Sequence, residues 1–243
     1  MNTAYRYFGD IKQNHLLAAL PQADADRWRG QLEPVELTRS QVLCAAGSVP
    51  EYVYFPITGI ASLVYLTQEG ASAEVAVVGN DGMVGVSLLL GGGSAPSEAV
   101  VQSSGLALRL SASFLRSEMD RSGAIAKVML RYAQAVLGQV AQTAVCNRYH
   151  SIEQQLCRRL LLGLDRSYSD EIEMTHELAA NLLGVRREGI TIAAHKLQEA
   201  GLIRYHRGHI VVLDRPRLEK QTCECYAVAK KEYRRLLPMA LAA

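Results

Sequence analysis

MTHELAANLLGVRREGITIAAHKLQEAGLIRYHRGHIVVLD, running from Met174 to Asp214, decides how this chain is read. Thr175 has the side chain to cap a short helix over His176–Leu183. Gly184 then breaks that helix, because glycine takes the left-handed conformation that ends a helix sharply. A second helix is predicted from about Arg186 to Ala200. Ala180 precedes the glycine by one turn and lets the two helices approach. Ile190 follows it and faces back with Val185, Ala193 and Leu197. A small residue, a glycine and a branched apolar residue at these offsets form the helix-turn-helix pattern. Two β runs follow, Leu202–Tyr205 and His209–Leu213, joined at Arg207-Gly208. They predict a hairpin, or wing.

The polar side of the second helix suggests what the unit binds. Arg186, Arg187 and Glu188 crowd its N-terminal end, the part that enters the major groove in such motifs. Thr191 and His195 follow Arg187 at four-residue steps. Arginine reads guanine bidentately and glutamate accepts from a cytosine amino group. Base reading is therefore assigned to Arg186, Arg187, Glu188 and Thr191. Backbone contact is assigned to Thr175, His195, Lys196, Arg204, His206 and Arg207. From Gly184 to Arg217, seven cations against three anions give +4, whereas the whole 243-residue chain carries only +2. Local basicity of this kind is the electrostatic footprint of a nucleic-acid partner. The alternative is a winged helix used for protein contact.

The chain changes character twice on the way there. Between Val35 and Leu110 it shows short β-rich runs, with Val53-Tyr54-Phe55, Ile60–Leu66 and Ala73–Val78 as candidates, broken by turns at Thr58-Gly59, Glu69-Gly70 and Gly79–Gly82. Strands this short and regular predict a sandwich or small barrel. From Gly123 the period becomes helical. Ile125, Met129, Tyr132, Val136, Val140 and Thr143 step by three or four residues and make one stripe on a long helix. Such a stripe can pack on the chain's own β-domain. The favoured expectation is a homodimer seam, in which a long helix buries it against its twin. Ser151 and Gln154 have capping-box spacing and open a new helix. The organisation expected is α+β: a β-roll domain over residues 1–122, a long dimerisation helix and hinge over 123–149, and a winged helix-turn-helix with a C-terminal helix over 150–243.

Hydrophobic residues make up 49% of the chain, enough for a sizeable core. No apolar run approaches the roughly 20 residues of a membrane helix. The first residues lack the basic-then-apolar order of a secretory signal. A cytoplasmic protein without a membrane partner is expected. Cys44, Cys146, Cys157, Cys223 and Cys225 are odd in number and scattered, which fits a reducing compartment. Cys223-Glu224-Cys225 is too tight for the usual zinc spacing and lacks a second pair in the sequence, so no metal site is assigned.

The order of parts resembles the Crp–Fnr superfamily of bacterial transcription regulators. The likeness is strongest in LLGVRREGI…LQEAGLI and in GSVPEYVYFPITGIASLVY. It implies an N-terminal cyclic-nucleotide-binding-type double-stranded β-roll, a long dimer helix and a C-terminal winged helix-turn-helix. It also implies a homodimer on a pseudo-palindromic duplex operator, with RNA polymerase as a further partner. Arg187-Glu188 match the Arg-Glu pair that commonly begins the family's recognition helix. Ile192 stands where the cyclic-AMP-responsive members carry a third base-reading arginine, so their DNA sequence is not carried over.

The glycine-rich segment Val78–Val101 occupies the place of the family's phosphate-binding cassette. In cyclic-nucleotide binders a Gly-Glu pair holds the ribose and an Arg-Ser or Arg-Thr pair holds the phosphate. Here Gly85 is followed by Val86, and Pro96-Ser97-Glu98 contains no arginine. No lysine or arginine lies between Arg39 and Arg109, and Ser40–Leu108 carries a formal charge of −5. A buried phosphate without a cation loses its strongest hydrogen bonds. Cyclic AMP is therefore not the expected effector, and the cofactor stays unknown. An effector pocket is drawn around Gly82, Gly85, Val86 and Ser97, with Lys127 or Arg131 reaching in from the long helix. Cys44 is the only cysteine before Cys146, which speaks against an N-terminal iron–sulfur sensor. His15 and His150 read as ordinary histidines rather than haem ligands. The alternative function is a nucleotide-binding regulatory protein or enzyme subunit built on the glycine-rich 79–93 segment. No Gly-Lys-Ser/Thr loop, HExxH or G-x-S-x-G motif supports an enzyme.

Overall fold

Alternation along the early strands builds a two-sheet roll. The computed structural model describes residues 10–167 and 169–238. After a 3-10 turn at Ile11–Gln13 come α1 (His15–Ala18) and α2 (Gln22–Arg29). The strands β1 (Glu33–Leu37), β2 (Val42–Cys44), β3 (Tyr52–Pro56), β4 (Ile60–Leu66), β5 (Ser72–Val78), β6 (Glu98–Ser103) and β7 (Gly105–Ser111) follow. They form two antiparallel sheets, ordered β1-β7-β3 and β2-β6-β4-β5. Val53 and Phe55 of β3 point inward with Leu108 and Leu110 of β7. From the second sheet, Ala61, Leu63, Ala76 and Val78 join the same core. A register shift opposite Leu63 and Val64 leaves Val75 of β5 as an extra residue and bends that strand. Val64 packs instead into the core of the C-terminal domain, so the outer face of this sheet is also covered.

Helices close the roll. Trp28 of α2 is fully buried edge-on to Phe55 and Phe114. Its indole N–H donates to Glu118 Oε2 at 3.1 Å. Glu118 lies on α3 (Ala112–Arg121), only 2% exposed, and also accepts from Arg121 at 2.7 Å and Arg27 at 3.1 Å. The Arg121 hydrogen bonds lead these donors in holding its pKa down to about 2. A depressed carboxylate stabilises the fold above its unfolded pKa and loses that contribution as pH falls through the folded value. Glu118→Gln is therefore expected to lower Tm most at neutral pH. The gap from the parent should close between about pH 4.5 and pH 2, as followed by circular dichroism. A gap independent of pH would mean the carboxylate charge contributes nothing.

α4 (Gly123–Tyr149) is the long helix, and α5 (Ile152–Leu164) follows one break later. Ser151 and Gln154 form the full capping box. β8 (Glu171–Glu173), α6 (His176–Leu183), α7 (Arg187–Glu199), β9 (Ile203–His206), β10 (His209–Val212), α8 (Arg215–Gln221) and α9 (Glu224–Leu236) complete the chain. The third sheet is ordered β8-β10-β9. Among the described residues no helix is long and apolar enough to cross a membrane.

The stripe expected to form the dimer seam points elsewhere. Ile125 and Met129 have no exposed surface, and Tyr132, Val136 and Thr143 are buried within one chain. Val140 packs partly against the roll core. Tyr132 Oη donates to the Met83 carbonyl and accepts from the Met83 N–H, locking α4 to the glycine-rich segment. Surface already covered by its own chain is not available to a second copy. α9 covers another side of α4, its Cys225 beside Gln142 and its Glu232 beside Gly138. The face left open carries Leu130, Leu137 and Val145, each between 43% and 56% exposed. The cysteines, too, are not scattered in space. Cys146, Cys223 and Cys225 form one buried cluster.

The roll and the C-terminal domain meet through buried charge. Glu74 of β5 lies 2.6 Å (Oε1) from Arg159 Nε of α5, with both side chains about 5% exposed. Its other carboxylate oxygen accepts from Ser62 Oγ. The Arg159 N–H does not aim at the oxygen, so this is a charge contact rather than an aligned hydrogen bond. Asp81 pairs with Arg166 at 2.7 Å, and Gly79 leaves room for the Arg166 stem.

Candidate nucleic-acid interface and effector cavity

Local sequence positions the recognition unit. Thr175 Oγ1 accepts from Leu178 N–H and caps α6. Gly184 ends α6 at φ 66°, ψ 34°, which a β-branched residue does not adopt without strain. Arg186 is the extended N-cap residue of α7, and Arg187 and Glu188 occupy its first turn. All three are exposed, as are Thr191, His195 and Lys196. Ile190, Ala193, Ala194 and Leu197 form the buried side. Polar groups thus project from one face of a helix anchored by the other. The N-terminal amides of α7 lack helical partners and favour an anion there.

Arg187 meets Glu177 only at 3.9 Å, with both side chains more than 60% exposed. His195 lies 3.3 Å from Glu199, and Lys196 lies 3.9 Å from Glu153. The Arg187–Glu177 and His195–Glu199 pairs, exposed on both sides, contribute little and exchange readily for phosphate. Arg204, His206 and Arg207 are exposed on the wing. Arg207 and Gly208 both have positive φ, at 47° and 87°, which makes the tight two-residue turn between β9 and β10.

His176 was not singled out from the sequence, yet it braces the unit. Its ring stacks on Tyr205 of the wing at 4.2 Å, and its Nδ1 lies 3.1 Å from Thr191 Oγ1. Burial, followed by the Arg187 charge, lowers its pKa and favours the neutral ring. Thr191 also donates to the Arg187 carbonyl. The residue assigned to base reading is therefore held by its own helix and by α6. No sequence spacing shows this, because the contact joins a cap region, a helix face and a strand.

The glycine-rich segment forms a 3-10 turn, Val86–Leu90, entered through Gly85 and left through Gly91, both left-handed. A cavity of about 460 Å³ lies over it. Gly85, Val86 and Ser97 line it beside Leu63, Val136 and Leu137. The other expected members do not. Gly82 lies against the Tyr132 ring, which leaves no room for a Cβ. Lys127 and Arg131 are exposed and outside the lining. No lysine, arginine, aspartate or glutamate lines this cavity among the described residues. Three backbone donors leading into the turn are committed. Gly82 N–H donates to Gly79, Met83 N–H to Tyr132 Oη, and Val84 N–H to Tyr54.

Two family models match this chain: a cyclic nucleotide-binding domain over residues 34–122 and a Crp-like helix-turn-helix domain over residues 154–221. Solved structures of similar fold include FixK2 from Bradyrhizobium japonicum, at TM-score 0.67 and 17% identity, covering 79% of this chain and 98% of that one. A Crp/Fnr-family transcriptional regulator from Thermus thermophilus aligns at TM-score 0.60 and 18% identity, over 78% of this chain and 97% of that one. The c-di-GMP-responsive regulator CLP from Xanthomonas campestris aligns at TM-score 0.60 and 15% identity, over 80% and 100%. No curated protein matches. The fold and its exposed helix define a transcription-regulator architecture with a helix-turn-helix DNA-binding domain. With the two family models together covering well over half its length, the chain belongs to the Crp/Fnr superfamily. Crp/Fnr-type regulators are not enzymes.

Proposed function

We propose that this chain is a homodimeric, sequence-specific transcription regulator that binds a pseudo-palindromic duplex in the cytoplasm and acts with RNA polymerase. The observation that carries it is the α7 N-terminus, where Arg186, Arg187 and Glu188 stand exposed on a helix whose opposite face is buried. Two such helices read half-sites about 34 Å apart. Arg187 and Glu188 read bases, Arg186 and Thr191 add readout, and Thr175, His195, Lys196, Arg204, His206 and Arg207 hold phosphates. Ile192 is 59% exposed on the same helix. An apolar side chain there suits a thymine methyl group rather than a guanine edge. The seam of the dimer is the open face of α4, through Leu130, Leu137 and Val145.

Arg187→Ala is expected to relax preference at one base position, worth about 1–3 kcal/mol of discrimination. Arg207→Ala should weaken binding to every duplex alike and reduce the salt slope by about one. Anisotropy titrations on selected and scrambled duplexes across a salt series separate the two. If selection from random duplexes enriches no motif, sequence-specific regulation is wrong.

A second reading concerns the roll. Its lining, largely apolar and without a charged side chain among the described residues, suits an uncharged ligand rather than cyclic AMP or another nucleotide on residues 79–93. Calorimetric titration with cyclic mononucleotides and dinucleotides tests this, and micromolar binding would overturn it.

A further inference from the structure

Cys223 and Cys225 lack a second ligand pair in the sequence, but the fold supplies one. Cys146 and His150 sit one turn apart at the end of α4. α9 folds back along α4 and brings its N-cap residue, Cys223, and its first-turn Cys225 to the same place. The four ligand atoms all lie within 4.8 Å of one another. The Cys146 and Cys223 sulfurs are 3.6 Å apart, and Cys225 Sγ is 3.4 Å from His150 Nδ1. A tetrahedral zinc ion with bonds of about 2.3 Å to sulfur and 2.0–2.1 Å to nitrogen sets such edges near 3.5–3.8 Å. We propose that Cys146, His150, Cys223 and Cys225 form a mononuclear, tetrahedral Cys3His site for a thiophilic divalent cation of the zinc class.

The surroundings fit a bound ion. All three cysteines are buried, and none is in a disulfide. His150 Nε2 lies 3.3 Å from Glu224, the carboxylate partner that orients a ligating imidazole through its other nitrogen. Gln142 Nε2 donates to Cys225 Sγ at 3.0 Å. The unsatisfied amides at the α9 N-terminus favour thiolates there. The independent sign is Arg158. It is 5% exposed, its Nε has no hydrogen-bond partner, and no carboxylate pairs with it among the described residues. Its guanidinium donates to Thr143, one turn before Cys146, and its charge acts on Cys146. A buried cation without an anion is costly. Three thiolates around a divalent ion leave one net negative charge and supply the missing partner. Binding releases the thiol protons to solvent.

Thiolate and imidazole select zinc over magnesium, calcium or manganese. Four ligand atoms this close leave no room for a cluster with bridging sulfides. The site fastens α9 to α4 beside the Tyr149–Ser151 hinge, where Gln155 also donates to the His150 carbonyl.

The test uses the full chain purified under reducing conditions without chelator. Elemental analysis should find about one zinc per chain. Cobalt added to the metal-free protein should give intense tetrahedral d–d bands and thiolate-to-cobalt charge transfer. Cys223→Ser and His150→Gln should each remove most of the metal, whereas Cys44→Ser, in the roll, should keep it. Because the cobalt spectrum is read on the unaltered chain, misfolding of a variant does not decide the matter. Metal-free protein with a weak octahedral cobalt spectrum would overturn the site. So would a Cys146–Cys223 disulfide persisting in the reduced preparation.

Discussion

Arg159→Met should lower the unfolding free energy by about 3–5 kcal/mol, the cost of leaving a buried charge without its partner. Glu74 sits on the outer face of β5, enclosed by Ser62, α5 and α6. With Arg159 removed, its carboxylate keeps, among the described residues, the Ser62 hydroxyl as its hydrogen-bond donor. The double variant Glu74→Gln/Arg159→Met should recover most of the loss, since a neutral amide no longer needs the cation. Urea titration of the four proteins of the cycle measures this directly. A single-variant cost below about 1 kcal/mol, the level of an exposed pair, would show that this contact does not fasten the roll to the C-terminal domain. The matter reaches beyond stability. Ser72 Oγ donates to the Asn181 carbonyl of α6 beside the pair, so the same surface ties the recognition unit to β5 of the roll.

Leu137→Arg carries the second large effect. Leu137 is 56% exposed at the middle of the open face of α4 and also lines the roll cavity. If that face is the seam, two arginines would be forced together there and the dimer should dissociate. Affinity for a full palindrome should then fall by about 10²–10⁴, the avidity lost when two linked contacts become one. Affinity for an isolated half-site should stay within a few-fold. Sedimentation velocity reports the oligomer, and anisotropy on full and half sites reports binding. A variant that remains dimeric would place the seam on another face.

The helix-turn-helix was legible because its determinants are local. Gly184, the Arg207-Gly208 turn, the Thr175 cap and the α7 periodicity each act within a few residues. The missing charge of the roll was equally plain, since a stretch without lysine or arginine supplies no basic group from its own strands. The failure of Lys127 and Arg131 to reach in needed the fold, because both leave α4 on faces turned to solvent.

The long helix shows the boundary most clearly. Its period established a helix, but α4 carries apolar residues on three sides, facing the roll, α9 and solvent. Periodicity fixes which residues share a face, not what that face meets. The metal-type cluster obeys the same logic. In the sequence Cys146 and His150 stand one turn apart, and Cys223 and Cys225 have no second pair near them. Only the antiparallel return of α9 on α4 joins them. The recognition helix, its wing and the cation-free 40–108 stretch of the roll can be read from the chain alone, because they depend on backbone geometry and charge over short distances. Tertiary structure alone decided the Glu74–Arg159 contact, the face of α4 left open and the Cys3His cluster, because each depends on where residues distant in the chain come to rest.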